Sequence, residues 1–272
     1  ADFTAGLTGN DVLVGGDGTD TIVITDSSDL AANSSITGFE TLRISEAGQS
    51  AAVNQVAGIT TVEYNAAAGN STTATGVTDG TAMSIINDAA TLTHTVTNAA
   101  NPGTTNTLNV TLDNTTANTD IDLTGGITAA GIEVMNITSS GVTSLATATT
   151  ASANSIATLA NSTSLTSINI DGASDFTLTT TGALSALTLV DGTDATGRVV
   201  VTNASTSATA TTLNGGSNAD TLTGRAGVDI ISGNGGNDTI DGADGNDTLN
   251  GGAGDDGITG GTGNDTIDGG TG

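Results

Sequence analysis

The sequence predicts an all-β protein, a right-handed parallel β-solenoid (β-helix) whose two ends are built from a nine-residue repeat. Three observations carry this reading. Aromatic residues make up 1% of the 272 residues while glycine numbers 39, so a conventional globular core is hard to build and thin layers of small side chains are favoured. From Gly215 the chain repeats in steps of nine without an insertion, and a fixed short period marks a solenoid. Between the two ends, short alternating strands follow turns, some at intervals near twenty residues, about what one rung of a parallel solenoid needs. A crossover between parallel strands of one sheet is right-handed as a rule.

Taken in order, residues 1–23 hold two repeats, GLTGNDVLV from Gly6 and GGDGTDTIV from Gly15. Residues 24–212 are rich in Thr, Ala and Asn and repeat more loosely: GFETLRI at 38–44, GITTVEY at 58–64, GIEVMNI at 131–137, LTSINI at 165–170 and LSALTLV at 184–190. Each reads as a strand after a turn. Leu42 to Val62 and Ile168 to Leu187 suggest rung partners. The stretch SLATATTASANSIATLA, 144–160, reads equally as a short helix or a loop. Residues 213–272 hold GGSNADTLT, GRAGVDIIS, GNGGNDTID, GADGNDTLN, GGAGDDGIT and GGTGNDTID, then GGTG.

In these nonapeptides position one is Gly, position six is Asp (Asp220, Asp229, Asp238, Asp247, Asp256, Asp265) and position eight is Leu or Ile (Leu222, Ile231, Ile240, Leu249, Ile258, Ile267). The first six residues form a turn whose glycines reach positive φ or approach an ion closely. The last three form a strand that sends position eight to one face and positions seven and nine to the other. Two repeats make an eighteen-residue coil, so repeats n and n+2 stack. Asp220, Asp238 and Asp256 then line one edge, and Asp229, Asp247 and Asp265 the other.

The charge balance names the partner of those edges. There are 29 acidic residues and three basic ones, Arg43, Arg198 and Arg225, which disfavours nucleic acid and anionic membranes and makes a cation the natural counter-ion. A cation between stacked turns collects carboxylates and backbone carbonyls, six to eight oxygens at irregular geometry, which Ca²⁺ accepts and Mg²⁺ tolerates poorly. Several Ca²⁺ ions are therefore expected. The candidate ligating positions are the six aspartates with the turn residues Gly216, Asn218, Gly227, Gly236, Gly245, Gly252, Gly254, Gly261 and Gly263. Asp244 at position three is an extra carboxylate, and in the first two repeats the set is Gly9, Asp11, Gly16, Asp17, Gly18 and Asp20. Those two repeats are half-sites, completed by the following rung, by Asp26 or Asp29, or by upstream chain. Leu7, Arg225, Asn234 and Ala243 depart from Gly at position two, and Asn218 at position four. At about 1 mM Ca²⁺ and a site affinity of roughly 10⁻⁴ M, each ion contributes about 1.4 kcal/mol.

These nonapeptides resemble the RTX (repeats-in-toxin) calcium-binding repeat, over residues 6–23 and 215–272. The resemblance implies a β-roll at both ends, folded by calcium, and export by type I secretion. The order of parts, GGDGTD, GFETLR, Thr/Ala-rich strands with GIEVMNI, then LNGGSNADTLTG, is similar to the lattice-forming part of Caulobacter-type RTX surface-layer (S-layer) proteins. That second resemblance implies a secreted, extracellular protein of the bacterial cell surface whose partners are copies of itself. A cell-surface glycan or lipopolysaccharide, if engaged, is met by regions outside these residues.

Other features read more plainly. Cysteine is absent, which excludes a disulfide scaffold and thiolate metal sites and suits an extracellular protein. No apolar run approaches the roughly 18 residues of a membrane span. The start lacks an initiator Met and a basic n-region, and the end stops partway through a repeat, so both ends read as cuts in a longer chain. His94 occupies one side of a strand, and Asp241, Asp255 and Asp268 solvate a surface. Glu40 and Glu133 recur at one place in the repeat and so serve rung turns rather than acid/base chemistry. No H-E-x-x-H or G-x-S-x-G occurs, so no enzyme is expected. The alternatives to a surface layer are the stalk or binding segment of a large RTX adhesin and the RTX tail of a secreted hydrolase.

Overall fold

Strands of two to eight residues with apolar side chains on one face are unstable alone and gain burial by stacking on their own kind. The computed structural model describes residues 2–4, 12–24, 35–45, 50–52, 56–64, 71–77, 81–86, 91–96, 105–114, 121–123, 126–141, 153–160, 162–180, 184–203 and 207–272. Among them the strands pair in parallel and no helix occurs. The chain is an all-β parallel solenoid whose C-terminal coils are of β-roll type.

Among the described residues one sheet of 13 strands runs from Asp2–Thr4 to Thr266–Asp268. It takes in all five stretches read as strands from the middle of the sequence, as Thr41–Ile44, Thr61–Tyr64, Val134–Gly141, Ser167–Asp171 and Leu189–Asp191. The other walls are sheets of three, five and seven strands, the last reaching from Asp122–Leu123 to Gly257–Thr259. His94 lies on the strand Thr91–Val96 of the five-stranded sheet. Within 144–160, residues Ala153–Ile156 and Leu159–Ala160 are strands, and residues 144–152 lie outside the described set.

Coil length varies along the stack. Equivalent residues are 20 apart at Asp20 and Glu40, 27 at Asn106 and Glu133, 33 at Glu133 and Thr166, 22 at Thr166 and Thr188, and 18 from Asp220 onward. Among its described residues the 33-residue coil carries three strands, Val134–Gly141, Ala153–Ile156 and Leu159–Ala160, one in each of three sheets. The eighteen-residue coils carry two. Leu42 pairs with Val62 as expected. Ile168, however, pairs with Val190 rather than Leu187. Leu187 is buried in the preceding turn, where its N–H donates to the Leu184 carbonyl at 3.2 Å, so the turn itself supplies an apolar residue that looks like part of the strand.

The register builds columns of like side chains. Leu108, Met135, Ile168, Val190, Leu213, Ile231 and Leu249 stack in sequence, all buried. Polar residues stack outside: the amide of Asn169 donates to Asn136 and that of Asn136 to Asn109, each at 2.7 Å. Within the nonapeptides Leu222, Ile231, Ile240 and Leu249 are buried and Ile258 partly so, while Ile267, on the last strand of its sheet, is 51% exposed. The burial predicts a contrast between two equivalent positions. Ile231→Ala is expected to cost about 2–5 kcal/mol and Ile267→Ala less than about 0.5 kcal/mol, measured by urea unfolding in saturating calcium.

Candidate metal centre

The nonapeptide turns alternate between two edges of the stack because each strand belongs to the sheet opposite the previous one. Thr221 pairs with Thr239 and Thr239 with Gly257 in one sheet, while Ile230 pairs with Thr248 and Thr248 with Thr266 in the other. The residue before each of these strands is the position-six aspartate, so Asp220, Asp238 and Asp256 stack on one edge and Asp229, Asp247 and Asp265 on the other.

Each carboxylate engages the coil before it. Oδ1 of Asp238, Asp247, Asp256 and Asp265 accepts the backbone N–H of Asp220, Asp229, Asp238 and Asp247, at 2.7, 2.8, 2.8 and 3.0 Å. The ladders continue into the longer coils, where Asp220 accepts from Val199 N–H and Asp229 from Thr211 N–H, both at 2.7 Å. Asp220, Asp229, Asp238 and Asp247 are buried to 2% exposure or less. The second oxygen is the informative one: Oδ2 of Asp238, Asp247 and Asp256 is buried and has no hydrogen-bond donor. An anionic oxygen removed from water without a donor is costly unless a cation or a proton meets it. Burial raises the pKa of Asp220 to about 6 and pushes Asp229, Asp238 and Asp247 above the usual carboxylate range, with the neighbouring aspartates adding to the rise at Asp220, Asp238 and Asp247.

The turn backbones complete the arrangement. From the third repeat onward, positions two and four both take positive φ, at Asn234 and Gly236, Ala243 and Gly245, Gly252 and Gly254, and Gly261 and Gly263. Gly16 and Gly18 do the same near the N-terminus. The turns stack so closely that a Cβ at Gly254 would run into the carbonyl of Gly236, and one at Gly252 into that of Asn234. These carbonyl oxygens therefore lie between successive turns, on the same edge as the carboxylates. Among the described residues no group of three or more acidic or histidine side chains converges on one point. An ion here must draw on carbonyls as well as carboxylates, the hard, irregular oxygen set that suits Ca²⁺.

The remaining candidates fall elsewhere. Gly9, Asp11, Asp26 and Asp29 lie outside the described residues. Asp17 is exposed, and Asp244 is exposed with its carboxylate accepting the Thr262 hydroxyl at 2.6 Å. Gly216, Asn218 and Gly227 do not adopt the left-handed backbone, and the Asn218 amide donates to the Thr196 carbonyl. Arg225, a departure at position two, sends its side chain into the interior with 1% exposure.

Sequence reasoning missed how far the edge ladder extends. Glu40 Oε2 accepts Asp20 N–H at 2.9 Å and Glu133 Oε2 accepts Asn106 N–H at 2.8 Å, which is the rung-turn role expected of the two glutamates. Asn154 Oδ1 does the same for Ile121 at 3.0 Å. The available signal was positional, since Glu40 and Glu133 each sit two residues before a buried strand residue, Leu42 and Met135, as Asp229 sits before Ile231.

The RTX calcium-binding nonapeptide repeat family matches this chain in four copies, at residues 1–23, 206–240, 214–249 and 241–272. The chain carries RTX repeats. RTX turns bind Ca²⁺, and several copies imply several ions. Such repeats are typical of secreted extracellular proteins, and no helix among the described residues is long and apolar enough to cross a membrane. No curated protein matches the chain.

Two outcomes follow for the RTX edges. A carboxylate whose folded pKa lies above its unfolded value holds more protons when folded, so stability is lost as pH rises through that interval. In excess chelator the thermal midpoint is therefore expected to fall between about pH 4 and pH 6, read by circular dichroism. Asp247→Asn keeps an oxygen for Asp229 N–H but removes a charge. It is expected to leave the chelated protein no less stable while raising the calcium midpoint roughly tenfold, measured by calcium titration.

Proposed function

We propose that this chain is a structural segment of a bacterial surface layer, folded and assembled by Ca²⁺. The observation that carries the reading is the set of buried carboxylate oxygens without donors at Asp238, Asp247 and Asp256, at the end of a sheet that runs unbroken through 13 strands. Such an assembly is one continuous rod when the ion is present and lacks its counter-charge when the ion is withdrawn. Low cytosolic calcium leaves the roll unfolded for export, and roughly millimolar calcium outside folds it.

Lattice formation is supported by the charge. At a formal net charge of −26, copies of the chain repel one another, and divalent cations between them offset that repulsion more effectively than monovalent salt. The chain acts as structure rather than as an enzyme, in keeping with the absence of both hydrolase motifs from its sequence. Electron microscopy tests the proposal. Two-dimensional arrays are expected in millimolar calcium and their dispersal in chelator, whereas separate rods in calcium would favour an adhesin stalk.

A further inference from the structure

The six nonapeptide turns are of two kinds. In the turns 215–223 and 224–232 the second carboxylate oxygen is already occupied, since Asp220 Oδ2 accepts Gly216 N–H at 2.5 Å and Asp229 Oδ2 accepts Arg225 N–H at 2.6 Å. In the next three turns the same oxygen, on Asp238, Asp247 and Asp256, is buried without a donor. The backbone divides at the same place, because within residues 215–272 positions two and four turn left-handed only from Asn234 and Gly236 onward. Two independent features thus change between Ser232 and Gly233.

A buried cation marks the closed turns. Arg225 is the largest fully buried side chain among the described residues. Its Nε donates to Asn203 Oδ1 at 2.7 Å, its Nη1 donates to the carbonyls of Leu184 and Leu187 at 3.0 and 3.3 Å, and its Nη2 is buried without an acceptor. It therefore joins the coil of Asp229 to the two coils before it. Arg198 occupies the matching place on the other edge: its backbone N–H and Nε donate to Asp175 at 2.9 and 3.4 Å, and the next residue, Val199, donates to Asp220. Two of the three basic residues in the chain stand where the acidic ladders enter the solenoid.

We propose that residues 215–232 form a calcium-independent seat for the calcium-dependent coils, with Arg225 as its resident cation. In this coil the position-two N–H groups take the carboxylate oxygens that later turns leave to ions, and the guanidinium supplies a positive charge that needs no calcium. Calcium-driven folding then starts at Gly233 on a finished template and adds coils toward Gly272. This avoids the unfavourable step of nucleating an acidic coil in free solution. The inference rests on the calcium-binding turns alone and stands whether or not the protein forms a lattice.

Hydrogen exchange read by mass spectrometry on the whole chain, in excess chelator and in millimolar calcium, tests it. Amides of 221–223 and 230–232 are expected to be protected in both conditions, and those of 239–241, 248–250 and 257–259 only with calcium. Arg225→Gly, which restores the residue usual at position two, is expected to speed exchange at 221–232 roughly tenfold or more in chelator, with protection returning in calcium, while Arg225→Lys retains more protection than Arg225→Gly. Equal calcium dependence from 221 to 259 in the parent chain would overturn the proposal, as would unchanged protection in Arg225→Gly. If Arg225→Gly does not fold even with calcium, the two-condition measurement on the parent chain still decides.

Discussion

Parallel stacking in register is the constraint on which everything else in this molecule depends. It places each side chain over its equivalent one coil away, about 4.8 Å distant, and so multiplies whatever the residue contributes. For Met135, Ile168, Val190 and Leu213 the result is a continuous apolar column. For Asp220, Asp238 and Asp256 it is a row of carboxylates, where two unit charges at that spacing repel by on the order of 3 kcal/mol at an effective dielectric of 20. The same geometry that builds the core creates the demand for a cation.

Seen this way, the long middle coils and the short RTX coils answer one structural need by different chemistry. Every coil must satisfy a backbone N–H at the corner where the chain enters its strand. The middle of the chain uses Glu40, Glu133 and Asn154 one at a time, while Thr60, Thr166 and Thr188, at the coil corners that follow Glu40, Glu133 and Thr166, carry no charge and donate their hydroxyls to the preceding carbonyls. In that arrangement Glu40 lies over Asp20, but the acidic residues do not run on as a continuous row. These coils also enclose larger side chains, among them Tyr64 and Phe176, and so stand on apolar burial. The eighteen-residue coils have two strands and one small hydrophobe in each, leaving the acidic edges to be balanced by ions.

Much of this was legible from the residues. The nine-residue frame located Asp229, Asp238 and Asp247 on their edges, placed Ile231 and Leu249 inside, and identified strands in the looser middle such as Thr41–Ile44 and Val134–Gly141, because alternation and period follow directly from strand geometry. What misled was a residue whose environment is not periodic. Leu187 has the right character for a strand and lies in a turn, since burial can come from either.

Sequence alone determined the repeat, the parity of its faces, the alternation of its two edges and the kind of ion that hard, closely set oxygens require, all of which are set by local covalent periodicity. Tertiary structure decided which oxygens remain open. Asp229 and Asp247 are identical in the repeat, yet Oδ2 of one is closed by Arg225 N–H and Oδ2 of the other is buried without a donor. The environment of Arg225 is likewise set by the coils before it, where Asn203 and the carbonyls of Leu184 and Leu187, 22 to 41 residues back along the chain, hold its side chain inside.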